Sequence, residues 1–588
     1  MASARDDAEI RKVIRFLGVI LGPERPFYTL AVIYGIGVSV LTLAVPVSVQ
    51  MLINTVANTS LTGPLVVLSL SLLALLLISA LLTALRQHLL EIFGRRFYAR
   101  MVAEIATRTI FAQNPFFQDD KRADLFNRYF DITTVQKALP TLLISGFTLI
   151  LQAASGFILV SFYHPFFLAF NLVIIGVAYA LWIIWGRSAM GTGIQLSHAK
   201  YATAHWLESL GASNGFYKSD RHVAYALERS EERTANYIEC SKQHFRRTFA
   251  QSVAFLLLYA VASSALLALG GWLVIQNQLT LGQLVAAELV LSAIFIGIAQ
   301  FGYYLIVFYD LFAGVEELSH FYDVRQEGLD GGLFPPARAS QLEFLQARCE
   351  TRGRAVELHF ELPDGVKVMA AAADGGLQAL FTRLIKRHAE PASGLISFGG
   401  IDLAAIDGPW LRREVVVLQR PTIVDCRIRD YLQLSAPEAS PAEYLLMLEH
   451  VGLSEVVSRL PEGLDTEVTA TGWPLSVSEA ILLKLAGAIL GRPRCLILGE
   501  IYDLIPEERM AAVLAALPAE TMVIYFSNRA TPLGLNRFLW LDYHVQKLFD
   551  RFEDFDRARN GQALTPAAIG AGPSRPALPP ARAGVGEP

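Results

Sequence analysis

Between Arg25 and Arg86 the sequence contains no charged side chain. A run of that length excludes an ordinary water-soluble domain, because about 20 apolar residues suffice to cross a bilayer core, and this run holds two crossings. Charge is missing again from Ala138 to Gly186, broken only by His164, then from Thr248 to Ala287 and from Leu289 to Tyr309. Six spans are predicted, at 27–54, 64–90, 140–163, 165–186, 248–276 and 283–309. Buried helices of a soluble core do not reach such lengths. The 53% hydrophobic content and mean hydropathy of +0.40 agree with an integral membrane protein in a lipid bilayer.

Lysine and arginine are absent from the links 55–63 and 277–282 and from the short link around His164. The links 87–138 and 187–247 are instead rich in them, with Arg95, Arg96, Arg100, Arg108, Lys121, Arg122, Arg221, Arg229, Arg233, Arg246 and Arg247. Positive connections stay in the cytosol, so both termini are expected there, with a bacterial inner (plasma) membrane as the location. The start, MASARDDAEIRKVIRFLGVILGPERP, has mixed charge and no cleavage site, and reads as a cytosolic helix. Cysteine is scarce: Cys240, Cys349, Cys426 and Cys495 are scattered, without metal-ligand spacing, which suggests a reducing compartment and no disulfide framework. A net charge of −4 implies no nucleic-acid partner.

The two basic links are too long and too periodic to be loops. They read as spans continuing into the cytosol as helices, returning at QNPFFQDDKR (113–122) and LGASNGFYKSDR (210–221), where Pro115, Gly211 and Gly215 interrupt the helical pattern. The domain boundaries are 1–26 for the leading helix, 27–325 for the six-helix membrane domain, 326–341 for a Gly/Pro-rich linker and 342–548 for a soluble domain. The Pro/Ala/Gly-rich tail at 559–588 is predicted to be disordered. In the soluble part, strand-like VKVMAA, VVVLQ, CLILGE and MVIYFS alternate with helical LQALFTRLIKR, YLLMLEHV, AILLKLAGAIL and RMAAVLAAL. That alternation predicts an α/β domain on a mainly parallel sheet.

The stretch VMAAAADGGLQALFTRLIKRHAEPASG, 368–394, has the outline of a phosphate-binding loop but no lysine inside the turn. Six spans with long cytosolic helices followed by this α/β domain resemble a half-transporter of the ABC exporter family. ASGLISFGGIDL (392–403), LPEGLDTEV (460–468), LGRPRCLILGE (490–500) and MVIYFSNR (522–529) are similar to that family's landmarks, in their order. The resemblance implies a polytopic α-helical membrane domain plus an ABC ATPase-like domain, ATP with magnesium as cofactor, two nucleotide domains facing head to tail, and a hydrophobic, amphipathic, peptide or lipid cargo.

Carried onto this chain, the functional positions look degenerate. Counting back from Pro391, the loop's first glycine falls on Ala372, its second on Leu377, its lysine on Gln378 and its hydroxyl on Ala379. Gly375 and Gly376 remain and read as turn glycines. The family's metal-binding aspartate falls on Gly499, with the following carboxylate kept as Glu500; the signature reads Leu475-Ser476-Val477-Ser478-Glu479; the switch histidine falls on Asn528; and Gln419 matches the family's loop glutamine. The loop IYDLIPE after Glu500 lacks the family pattern, and the shortened ETRGRAVELHF holds no clear adenine-stacking aromatic. Ser476 reads equally as an N-cap and as a phosphate contact. Gln419 reads equally as a groove-lining residue and as a nucleotide contact, and Glu500 reads more simply as a solvated strand-end carboxylate than as a base. Lys367 precedes the strand and Lys386 lies about two turns along the helix, so neither is expected to substitute for the missing lysine. ATP and magnesium binding are therefore predicted to be weak or absent. The resemblance then implies either a homodimer with two silent sites or the silent half of a heterodimer with an ATP-competent half-transporter. The alternative is a nucleotide-independent membrane scaffold or regulator. In the membrane, Glu288 is an acid to watch, His164 is expected in an interfacial loop, and Gln50 and Asn54 read as helix-to-helix hydrogen bonders.

Overall fold

The computed structural model describes residues 2–53, 62–113, 123–328 and 331–561, which divide after Gln326 into two compact units. Asn54, most of the expected turn at 113–122 and the tail from 562 onward lie outside the described residues.

The first unit is helical: α1 (Ala2–Leu21), α2 (Arg25–Leu41), α3 (Ala44–Met51), α4 (Thr62–Ile110), α5 (Asp131–Thr141), α6 (Phe147–Ser161), α7 (Pro165–Ala212), α8 (Asp220–Ile275) and α9 (Leu281–Ser319). Six of its helical stretches are long and apolar enough to cross a membrane. The outward face of α4 carries Val66, Val67, Leu70 and Leu77, each more than half exposed; such a face is stable against lipid and not against water. As the basic links predicted, the apolar segments run on without a break into polar extensions. Helix α8 has 56 residues, on the order of 80 Å of helix.

Two predicted spans are not single helices. The first breaks between α2 and α3, because Pro46 has no N–H for the Thr42 carbonyl. The third already begins at Asp131, carries Pro140, and passes through a π-helical segment, Leu142–Gly146, between α5 and α6. Small residues set the closest helix crossings. A Cβ on Gly156 of α6 would lie 2.6 Å from Ile294 Cδ1 of α9, and one on Gly297 of α9 would lie 2.5 Å from Leu149 Cδ1 of α6. The two helices thus interlock reciprocally. Gly302 lets α9 approach the α8 backbone, with 3.0 Å between its would-be Cβ and Ser252 Cα.

The second unit is α/β, as predicted, with strands β1 (Leu342–Thr351), β2 (Arg354–Leu362), β3 (Lys367–Ala372), β4 (Ser393–Phe398), β5 (Ile401–Asp402), β6 (Val415–Leu418), β7 (Cys426–Arg427), β8 (Glu467–Val468), β9 (Cys495–Leu498), β10 (Met522–Phe526), β11 (Arg537–Leu541) and β12 (Gln546–Phe549). Its helices are α10 (Gly375–Ile385), α11 (Gly408–Glu414), α12 (Ile428–Ser435), α13 (Pro441–Val451), α14 (Ser454–Arg459), α15 (Val477–Leu490), α16 (Glu507–Ala516) and α17 (Phe552–Arg559). A six-stranded sheet runs in the order β12-β11-β3-β10-β9-β6, parallel except for β12. Beside it stands an antiparallel sheet, β2-β1-β4-β5, which the reading of alternating strands and helices did not anticipate. Its first hairpin turns at Arg352 and Gly353, both at positive φ (49° and 73°), as a two-residue hairpin turn requires. The domain also runs past residue 548. Phe552 and Phe555 of α17 pack on Phe538 of β11, so Arg559 closes a helix and does not open the tail.

Helix α10 buries Leu377, Leu380, Phe381, Leu384 and Ile385, each worth about 1.5–3 kcal/mol relative to exposure. That burial pins the helix start against the end of β3.

Candidate nucleotide site

Parallel pairing sets the carboxyl ends of four strands side by side. Ala370 of β3 is level with Phe526 of β10, Tyr525 of β10 with Leu498 of β9, and Leu498 with Leu418 of β6. The residues after these strands share one edge, where open α/β sheets bind ligands. The fold thereby gathers Gly375, Gly376, Gln378, Ala379, Gln419, Glu500 and Asn528. Ser476 is placed differently, at the start of α15.

Gly375 and Gly376 are not turn glycines, against the expectation. They are the first two residues of α10, and neither has a positive φ. Gly376 is a matter of space, since a Cβ there would sit 3.0 Å from both Arg352 Nε and Asp374 Oδ1. Asp374 is the N-cap. Its Oδ1 accepts from the N–H groups of Gly376 (2.8 Å) and Leu377 (2.9 Å), and its Oδ2 accepts from the Tyr543 hydroxyl at 2.7 Å. The Arg354 guanidinium lies 5.1 Å from the centroid of the Tyr543 ring. The bond from Tyr543, then those from Leu377 and Gly376, with Arg352 adding attraction, hold the Asp374 carboxyl below the usual carboxylate range. Helix N-terminal N–H groups are a ready anion site; here the chain's own carboxylate takes two of them.

Three of this domain's four lysines are committed to backbone carbonyls. Lys386 Nζ donates to Val415 O (2.7 Å) and Arg412 O (3.2 Å), and burial brings its pKa down to about 8. Lys367 Nζ donates to Leu514 O and Leu517 O at 2.8 and 2.9 Å, and Lys484 Nζ to Arg420 O and Thr422 O at 2.6 and 2.8 Å. The fourth, Lys547, lies on the outer strand β12.

Gln419 points across the same edge. Its Oε1 accepts from Thr382 Oγ1 of α10 at 3.4 Å, while its buried Nε2 has no hydrogen-bond partner. Gly499 backs onto it, and a Cβ there would meet Gln419 Cα and Cγ at 3.1 Å. A side chain at 499 would press on Gln419, which would have to give by a few tenths of an ångström.

Two residues that the sequence reading passed over organise the rest. Asp503, inside IYDLIPE, accepts at Oδ1 from the Tyr525 hydroxyl (2.6 Å) and Ser527 Oγ (2.8 Å), and at Oδ2 from the Asn528 N–H (2.9 Å). Arg529 is buried beside it, its Nε 3.4 Å from Asp503 Oδ1 and its Nη2 donating to the Tyr502, Asp503 and Ile505 carbonyls. Burial and the bond to Asp503 push the Tyr525 phenol up. The end of β10 is therefore clamped to the loop after β9, with Asn528 itself exposed. The usable signal was an acid and a base at the ends of neighbouring strands.

Residues 28–299 match the ABC transporter transmembrane region. Over the whole molecule, the solved structure of a bacterial Atm1-family ABC exporter with ATP bound superposes with a TM-score of 0.75 at 17% identity, covering 91% of this chain and 97% of the other. The chain has the fold of an ABC exporter half-transporter. Sequence relatives of the chain include the ABC multidrug transporter mdr2 of Aspergillus fumigatus, 24% identical over 88% of this chain and 67% of that protein. The leukotoxin translocation ATP-binding protein LktB of Mannheimia glucosida is 22% identical over 81% and 68%.

Ser476, which the resemblance sets at the signature, is the N-cap of α15 in a capping box: Glu479 N–H donates to Ser476 Oγ (3.3 Å), and Ser476 N–H to Glu479 Oε2 (2.7 Å). Val477, where the family has glycine, is 49% exposed. Glu500, also exposed, opens a short 3₁₀ turn after β9. In the membrane unit, Tyr163, in the turn between α6 and α7, donates to Gln50 Oε1 of α3 at 2.7 Å, so Gln50 bonds to a turn and not to another helix. His164 caps α7, and Glu288 accepts from Ser292 Oγ at 2.9 Å.

Proposed function

We propose that this chain works in transmembrane transport as one half of a dimeric exporter, and that its own nucleotide site is silent. One observation carries the reading: Asp374 occupies the anion-binding N–H groups at the start of α10. A phosphate brought there would meet a carboxylate held in its ionised form, and like charges at that separation repel. The residues present do not fit a magnesium nucleotide. Gln378 and Ala379 replace the lysine and hydroxyl, three of the four domain lysines are tied to carbonyls elsewhere, and Gly499 offers no carboxylate where the metal would need one. Phosphoryl transfer relies on positioning and charge stabilisation by those groups, so Glu500 has no bound substrate to act on. The silent half would then work beside an ATP-competent half-transporter. The Asp374–Tyr543 contact equally supports a nucleotide-independent scaffold or regulator of the same fold. The test is calorimetry of the purified full chain with Mg-ATP, together with a phosphate-release assay. No micromolar binding and no release are expected; a micromolar Kd would falsify the silent-site reading.

A further inference from the structure

On the polar extensions of α7 and α9, four side chains converge in a way that transport by this fold does not require. His198 Nε2 lies 3.1 Å from Glu316 Oε2 and 3.9 Å from Glu317 Oε1, and His320 Nε2 lies 3.3 Å from Glu316 Oε1. One ligand atom from each of the four falls within 4.8 Å of all the others. Glu316 and Glu317 lie in the last turn of α9 and His320 is its C-cap with helical backbone angles, so Glu317 and His320 form a Glu-x-x-His pair on a single face, a spacing used by metal-binding helical bundles.

Glu317 is fully buried, and its Oε1, the oxygen facing His198, has no hydrogen-bond partner. Its Oε2 is taken by Arg128 Nε at 2.6 Å. Glu316 beside it is also buried. Of the two adjacent buried carboxylates, Glu317 is paired with the Arg128 guanidinium and Glu316 faces only the two histidines, so while those imidazoles are neutral negative charge remains that burial penalises. We propose that His198, Glu316, Glu317 and His320 bind a divalent first-row transition ion of the zinc class, cross-linking α7 to α9. Two imidazole nitrogens and two carboxylate oxygens are a donor set that zinc accepts. On its outer side His320 has Nδ1 3.7 Å from Asp323 Oδ2, beyond hydrogen-bond reach but close enough for charge attraction, and Asp323 is itself paired with Lys12 at 2.6 Å. His198, nearly half exposed, leaves the ion a route in from solvent.

The experiment uses the untagged full chain in detergent, stripped with a chelator and titrated with zinc. One zinc per chain at micromolar or tighter affinity is expected, with cobalt in its place giving the visible absorption of a low-coordinate site. His198→Gln and His320→Gln should each weaken zinc binding at least tenfold while the metal-free melting temperature stays near that of the parent. Because either variant could fold poorly, the parent alone supplies a second readout: zinc should raise its melting temperature and a chelator should reverse the rise. Absent or millimolar binding by the parent, or binding unchanged in both variants, overturns the site and leaves the cluster as an ion-pair network.

Discussion

Asp374 shows how one side chain decides the chemistry of a loop. Replacing it with alanine removes the cap of α10 and should cost about 1 kcal/mol, read as a lowered melting temperature of the detergent-purified chain. Because the folded state holds this carboxyl below its ordinary value, its stabilisation is present above the unfolded pKa, about 3.9, and is lost as pH falls through the lower folded value. The gap between parent and Asp374→Ala should therefore be constant at neutral pH and close under acid; a gap that widened below pH 4 would contradict the cap. Lys386 gives a slope of the same sign, but in the alkaline range. With its pKa lowered to about 8 in the fold against about 10.4 when unfolded, the unfolded chain binds more protons between those values, and stability rises with pH there. Lys386→Met should flatten that rise in melting curves taken from pH 8 to 10. The missing loop lysine could be read directly from the sequence. The self-capping could not, because Tyr543 lies 169 positions from Asp374 and only the pairing of β11 with β3 brings that end of the chain to the site. Asp503 and Arg529 escaped for the same reason.

Among the elements, what the sequence revealed best was written as an absence. Uncharged runs located the spans, and the basic links foretold the long extensions of α7 and α8, because solvation of charge forces both. The break at Pro46 had a visible cause and was passed over, whereas the π-helical stretch beyond Pro140 depends on packing. The antiparallel sheet was missed because β1 and β2, LEFLQARCET and RAVELHFEL, are amphipathic strands lying outside the βα alternation that drew attention. Helix crossings were invisible in the sequence, since a glycine in an apolar span looks the same whether it faces lipid or a neighbour. Gly302 faces the α8 backbone, whereas no atom lies within 4 Å of a Cβ on Gly176. Gly302→Leu should lower stability by about 1–3 kcal/mol through overpacking, and Gly176→Leu should leave it nearly unchanged. Equal losses in detergent melting curves would mean that the α8–α9 crossing is not set by this residue. Ser476→Ala should similarly cost about 1 kcal/mol through the lost cap of α15, whichever role the signature position has.

At the scale of the whole molecule, the proposed transport role raises the question of where its energy would come from. On the silent-site proposal, a helix start already occupied by its own carboxylate gains no drive from ATP in that site, so the drive would come from a companion half or be absent. These cases separate in one experiment, because they assign different consequences to the same two residues. If native purification yields a companion with an intact lysine loop, the complex should hydrolyse ATP, and Glu500→Gln in this chain should leave that rate unchanged, since the carboxylate here has no bound nucleotide to serve. Val477→Gly should raise the rate or leave it unchanged, because a glycine there allows closer approach of the signature to a partner's phosphate and the side chain it removes is half exposed. A clean homodimer without ATPase activity would place the chain among nucleotide-independent members of the fold, with ligand binding to the membrane helices as the next measurement. A rate abolished by Glu500→Gln would make that carboxylate a working base. It would also require the Asp374 contact to open when nucleotide arrives, contrary to the silent site proposed for this chain.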